Sequence, residues 1–333
     1  MYKFLYLLLL SVFLKADEYE YVLGEGYKIN SLPLYIGGYF SSEYQYKTDD
    51  AQSTFKVDDI ALIGYGSYNK FSYLAEFEFK EFYINEWGKS ANHELNSNLH
   101  TERLYIDYTF NENYMLRVGK YNSPIGYWNL TPINVLRDTT SSPQTNSLLF
   151  PKYTTGLDLT YTSYSDYELK IDLLVQNNND FDDMYNNLAV NKHYGLGLEF
   201  SENDLSLKLN GGYFHTKDNI SDNENIYYSL ASFKYDTNKF KLMGEVGTQF
   251  SKDETIVPYS GYLQGLYTIT EKHLPVIRLE SYKSNANTPL EKDDILTIGY
   301  TYRPIYSVAF KAEYQFHSIS EENKTLVSFS VLF

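Results

Sequence analysis

The residues able to do chemistry in this 333-residue chain are charged side chains spaced two apart inside apolar segments. Glu76 and Glu78 sit among Phe71, Tyr73, Ala75, Phe77 and Phe79, and Arg103 and Asp107 among Leu104, Ile106, Tyr108 and Phe110. Arg117 follows on the next segment, and Arg137 and Asp138 lie in a long connection between Asn122 and Pro151. Opposite charges at such spacing line a polar surface that can bias or filter ions. They do not form a nucleophile with its base. None of the six histidines (His93, His100, His193, His215, His273, His317) sits in a recognisable catalytic motif, and His317-Ser318 reads as a loop pair. With no cysteine, thiolate metal sites and disulfides are excluded, and no motif calls for a cofactor. The run from Asn177 to Asp183 offers oxygen ligands for a divalent cation but lacks calcium-loop spacing, and reads as a solvated loop. Trp87 and Trp128 are candidate sugar-stacking platforms or, more simply, packing residues. A net charge of -15 without a basic run argues against nucleic acid.

These charges need elements that alternate. From Pro33 to Phe333 the chain is a succession of segments with period-2 patterning, of the length that crosses a bilayer at a tilt. Tyr167, Leu169, Ile171, Leu173 and Val175 oppose Glu168, Lys170 and Asp172, and Val308, Phe310, Ala312, Tyr314 and Phe316 oppose Lys311, Glu313 and Gln315. Alternation alone fits a soluble sandwich as well as a barrel. The connections decide. Short turns at Asn69-Lys70, Asn111 to Asn113, Ser165-Asp166, Glu202 to Asp204, Asp236 to Lys239, Glu271 to Leu274 and Arg303 to Ile305 alternate strictly with longer polar loops. Seven turns and eight loops join sixteen strands, the signature of an up-and-down transmembrane barrel with both termini on the short-turn side.

The expected fold is therefore all-β: a transmembrane antiparallel barrel of sixteen strands with a long, inward-folded third loop. Residues 1–16 read as a signal peptide, with Lys3 before an apolar core from Phe4 to Leu14. Residues 17–32 read as a polar leader and 33–333 as the barrel. The aromatic excess, 36 Tyr, 20 Phe and 2 Trp, suits girdles at the two membrane interfaces, with Tyr35, Tyr153, Tyr161, Tyr194, Tyr235, Tyr259 and Tyr302 expected on the lipid face. The opposite parity sends near-equal numbers of cations and anions into the lumen. A lumen so charged holds water.

The stretch Arg103-Leu-Tyr-Ile-Asp-Tyr-Thr-Phe110, followed by Leu116-Arg-Val-Gly-Lys-Tyr-Asn-Ser-Pro-Ile-Gly126, resembles a strand-turn-strand-loop segment of Gram-negative outer-membrane porins. The closing Val327-Ser-Phe-Ser-Val-Leu-Phe333 is similar to their last strand. The resemblance is nearest to the group that includes phosphate-selective porins, although a continuous basic track is missing here. It implies a non-enzymatic diffusion channel in the bacterial outer membrane. It also implies a homotrimer, lipid and lipopolysaccharide around the barrel, and small hydrophilic solutes or ions within. In that family the third loop narrows the pore, and Glu76, Glu78, Arg103, Asp107, Arg117, Arg137 and Asp138 are the expected constriction and lumen residues. A solute-selective porin for an anion, sugar or carboxylate is the alternative, and an outer-membrane hydrolase or an adhesin is a more distant one. The third loop is too apolar to stay in water, with Ile125, Trp128, Ile133, Val135, Leu149 and Phe150. Folding inward is expected to bring Arg137 and Asp138 to Arg103, Asp107 and Arg117.

Overall fold

The computed structural model describes residues 19–29, 32–48, 51–88, 92–216, 218, 224–286 and 292–333; the proposed signal segment, residues 1–16, lies outside them. Two short strands, β1 (Tyr19–Val22) and β2 (Gly26–Ile29), form a hairpin. The wall begins with β3 (Leu34–Lys47), β4 (Gln52–Tyr68) and β5 (Phe71–Trp87). A four-residue strand, β6 (Asn92–Leu95), pairs with β5. Then come β7 (His100–Thr109), β8 (Tyr114–Asn122), β9 (Tyr153–Tyr164) and β10 (Glu168–Gln176). Next are β11 (Val190–Glu202), β12 (Leu205–Thr216), β13 (Asn225–Asp236), β14 (Phe240–Phe250) and β15 (Thr255–Tyr267). The wall ends with β16 (His273–Lys283), β17 (Lys292–Ile305), β18 (Val308–His317) and β19 (Lys324–Leu332).

Every neighbouring pair is antiparallel, and β19 pairs back on β3 from Lys324↔Lys47 to Leu332↔Tyr39. Sixteen strands thus close into a barrel with no free edge, the one sheet form that lipid tolerates. Below the end of β19, β2 takes over the same edge of β3, pairing Tyr27 with Ile36 and Ile29 with Leu34. The hairpin therefore continues the wall past the C-terminus.

Alternation does what the sequence implies. Along β18, Ala309, Lys311, Glu313 and Gln315 are buried while Phe310, Ala312 and Phe316 are exposed. Leu209 (60%), Val246 (57%) and Leu279 (55%) show that the exposed face is apolar, as a lipid-facing surface requires. Tyrosines gather at its ends: Tyr35 stacks on Tyr65 and Tyr194 on Tyr213. Tyr153 is the exception. It is 6% exposed and its hydroxyl donates to Glu102 inside the barrel.

The turns fall where expected at Asn69 and Asn203, both of which adopt positive φ (54° and 51°), the left-handed conformation that asparagine tolerates in tight hairpins. The last turn differs. It lies at Tyr306-Ser307, because the ladder slips between Tyr302 and Ile305, where Pro304 has no N–H to donate.

Candidate functional site

The polar interior has two sides. On one, β5, β7 and β8 carry Glu76, Glu78, Arg103, Asp107 and Arg117. Glu76 and Glu78 are buried within the barrel. Arg103 Nε donates to Glu76, and Arg117 grips Asp107 through Nε (2.7 Å) and Nη2 (2.8 Å) while lying 4.0 Å from the Tyr105 ring. The fork geometry makes the second pair a bidentate one. Tyr39 on β3 bridges Glu78 Oε2 (2.7 Å) and Glu102 Oε2 (2.8 Å), and Ser41 donates to Asp59 Oδ2 (2.5 Å).

Asp58 and Glu102 belong to this side, and period-2 reading misses both. The register slips between Val57 and Asp59 on β4 and between Arg103 and Thr101 on β7, so each residue sits in a bulge. A bulge re-aims a side chain that strict alternation would send outward. A signal was available: Asp58-Asp59 and Glu102-Arg103 are adjacent charges within strands. A regular strand would leave one of each pair in lipid, which costs about 2–4 kcal/mol for Arg or Lys near the midplane and less for Asp or Glu.

The other side, β12 to β19, is occupied by the third loop, residues 123–152. Gly126 takes φ +65°, and a Cβ there would lie 2.7 Å from Glu245 Oε1. Glycine lets the chain turn against that carboxylate, which accepts the N–H of Tyr127 (2.5 Å) and of Trp128 (3.0 Å). Further along, Glu280 accepts from Gln144 N, and Glu313 from Thr140 N (3.1 Å) and Ser141 N (3.0 Å). Lys311 donates to the Asn134 side chain (2.7 Å), and Arg278 to Thr139 Oγ1 (2.9 Å) and Ser141 Oγ (2.7 Å). The loop's apolar groups pack between these anchors. Ile125, Leu149 and Phe150 join Phe214, Ile226 and Tyr228; Ile133 and Val135 join Tyr39, Ala61 and Ile63.

Asp138 does not meet Arg103, Asp107 or Arg117 as the sequence suggests. It pairs with Lys241 on β14 (2.8 Å) and lies near Gln264 (3.4 Å). The Lys311 and Arg303 bonds to Asn134, Val135 and Arg137 hold this stretch against β17 and β18, across the lumen from β7 and β8. Arg137 does reach open space. Its Nε donates to Thr131 O (2.9 Å), and it lines three polar cavities of about 270, 160 and 300 Å³, alone among the described residues in being common to them. The middle one is walled by Asp58, Asp59, Glu78 and Glu102, and also by Lys80, Lys152 and Tyr185. The Lys152 ammonium is pulled down to about 8, by burial first and then by Arg137 and Lys80.

The fourth loop, between β10 and β11, is less open than its composition suggests. Asp180 pairs with the buried Lys120 (3.3 Å). Asp182 accepts from Thr101 N (2.7 Å) and faces His100 Nδ1 (3.2 Å). Burial works to raise the Asp182 carboxyl, but the N–H groups of Thr101 and Met184, with His100 and Lys120, outweigh it and hold it below the usual range. At His317 the imidazole faces Asp293 Oδ2 (2.6 Å) and Ser318 Oγ donates to Asp293 Oδ1 (2.7 Å). The serine hydroxyl therefore meets the carboxylate and not the imidazole.

By sequence, the chain matches no protein-family model and no curated protein. Its structure is similar to several solved barrels. OmpF of Salmonella typhi, in a complex with daunomycin, is 12% identical at TM-score 0.63, over 90% of this chain and 97% of that one. An anion-selective porin from Comamonas acidovorans is 12% identical at TM-score 0.60, over 90% and 99%. The trimer form of OmpT, an outer membrane protein of Vibrio cholerae, is 11% identical at TM-score 0.61, also over 90% and 99%. The chain thus has the fold of sixteen-stranded outer-membrane porins.

Proposed function

We propose that this chain is an outer-membrane channel for passive diffusion of small hydrophilic solutes or ions, with no chemical step. The observation that carries the reading is the run of three polar cavities that share Arg137, inside a barrel whose outer face is apolar. Water can occupy that interior, and lipid covers the exterior. In this reading the third loop is the constriction, with Arg137 at the junction of the cavities. Glu76, Glu78, Arg103, Asp107 and Arg117 form the facing wall, and Asp138 braces the loop through Lys241. The similar Vibrio cholerae barrel described as a trimer supports a homotrimer here, with lipid and lipopolysaccharide as surroundings. Export would use residues 1–16 as a cleaved signal.

Single-channel recording of the purified protein in a planar bilayer tests this. A stable ohmic conductance is expected, and Arg137→Ser should raise it. Liposomes holding the protein that stay impermeable to KCl and small sugars would overturn the reading.

A further inference from the structure

The third loop leaves the wall at Ser123 and rejoins it at Tyr153, and its two ends are tied to each other. Ser123 N donates to Lys152 O (2.8 Å), and Asn129 Nδ2 donates to Ser123 O (2.9 Å) and to Lys152 O (2.9 Å). From this root a line of side-chain bonds runs across β9, β11 and β13. Ser123 Oγ meets Pro151 O (2.7 Å) and Thr154 Oγ1 (2.8 Å). Thr154 Oγ1 meets His193 Nδ1 (3.0 Å), and His193 Nε2 meets the Tyr228 hydroxyl (2.9 Å). Ser123, Thr154 and His193 are fully buried, and Ile125, Phe150, Phe214 and Ile226 pack with Tyr228 in one apolar cluster.

Counting protons along this line leaves one solution. A carbonyl oxygen can only accept, so the Ser123 hydroxyl gives its proton to Pro151. The Ser123–Thr154 contact must then be made by the Thr154 proton. With that proton spent, Thr154 Oγ1 can only accept, so the neutral ring of His193 carries its proton on Nδ1. Its Nε2 holds a lone pair and accepts from the Tyr228 hydroxyl. The other tautomer would set two lone pairs against each other between Ser123 and Thr154, or strand the Pro151 carbonyl. Either costs stability where the side chains are shut off from water.

The wall is shaped for this arrangement. Gly195 on β11 and Gly212 on β12 are register partners. A Cβ on Gly195 would come within 2.9 Å of the Tyr228 hydroxyl, and one on Gly212 would collide with it as well. The two glycines form a slot that seats the hydroxyl against Nε2.

Building on the diffusion-channel reading, we propose that His193 is a positioning residue for the constriction: as the Nδ1–H tautomer it links Tyr228 to Thr154 and Ser123, and so holds both ends of the third loop in one place. The bonds run one way, from the Tyr228 hydroxyl to the Pro151 carbonyl. Breaking the line at any member releases those nearer the loop, and its root can then take more than one position.

Two measurements on the full-length protein test this. The first records proton–nitrogen correlation spectra of the histidine-labelled protein in detergent micelles at neutral pH. The signals missing from His193→Leu belong to His193. Nδ1 should show the shift and coupling of an N–H nitrogen, and Nε2 those of a lone-pair nitrogen. The reverse pattern, or the averaged one of a ring exchanging between tautomers, would overturn the line of bonds whatever the current does. Should His193→Leu fail to insert, Tyr228→Phe, which removes the donor to Nε2, identifies the ring by the shift it causes.

The second measurement is single-channel recording in planar bilayers. Thr154→Val keeps the side chain's shape and removes its hydroxyl, so the single steady open level should give way to stepping among several. Thr154→Ser should recover the level lost in Thr154→Val. A Thr154→Val current as steady as that of the unmodified protein would overturn the positioning role. If Thr154→Val fails to insert, Ser123→Ala makes the same comparison at the loop end of the line. Absence of any KCl current from the unmodified protein would overturn the channel reading, and with it the role at the constriction, while the spectra would still decide the tautomer.

Discussion

The two halves of the inner wall carry the same residue types to different ends. On β12 to β19, Lys241, Glu245, Arg278, Glu280, Lys311 and Glu313 spend their hydrogen bonds on the third loop. On β3 to β9, Asp59, Glu78 and Glu102 are held by serine and tyrosine hydroxyls and line open cavity. A charge facing the lumen is therefore not by itself a conduction residue. What separates anchor from filter is whether main-chain N–H and C=O groups of the loop arrive to use it up.

Deleting Asn134 to Asn146 should erase this contrast and have the largest effect. The segment supplies the partners of Lys311, Glu313, Glu280 and Arg278 and the Arg137 side chain, so its removal should raise single-channel conductance severalfold. If conductance holds while the oligomer dissociates, the loop is a subunit latch, and the distinction between the halves fails.

The outer face sets the scale for the next effect. Phe77→Arg should cost about 2–4 kcal/mol in a urea refolding titration, since it puts a cation in lipid. Glu76→Gln, one residue away, points into the barrel and on patterning alone should cost little. Its bond to Arg103 adds a charged partner that glutamine satisfies less well, which sets the expected cost at about 1.5–3 kcal/mol. A Phe77→Arg variant that refolds as stably as the unmodified protein would mean that the inside-outside register is wrong.

Between the halves, Glu313→Gln and Glu102→Gln make a paired test. The first weakens two loop N–H bonds and should cost about 1.5–3 kcal/mol of stability with little change in reversal potential. The second should shift the reversal potential toward anions, because it removes a wall charge at the cavity. Should both variants move the reversal potential equally, the anchor and filter roles are not separate.

The smallest effect is a pH response. Lys152 is charged below its value of about 8 and neutral above it, so raising the pH from about 7 to about 9 removes one positive charge from the lumen. The reversal potential should drift toward cation preference over that window, and Lys152→Gln should abolish the drift. A drift that survives the substitution would place the titrating group elsewhere.

Among the acidic groups of the outer loops, Asp180 pairs with Lys120 and Glu322 with Lys47, while Asp182 and Glu224 face His100 and His215. The two lysines lie on strands far from their partners along the chain, at sequence distances that no local pattern encodes.

What the sequence determined alone is the wall. Period-2 patterning in Phe71 to Phe79 or Val308 to Phe316 leaves one face apolar, and a one-residue slip would put charge into lipid, so register and strand count are legible from spacing. Turn asparagines at Asn69 and Asn203 are legible for the same local reason. The tertiary structure decided the interior. Bulges turned Asp58 and Glu102 inward, Tyr153 left the lipid face to hold Glu102, and Asp138 went to Lys241 and not to Arg103, Asp107 or Arg117. Each outcome depends on a partner more than thirty residues away or on one extra residue in a ladder, and alternation, which repeats every two residues, carries no information about either.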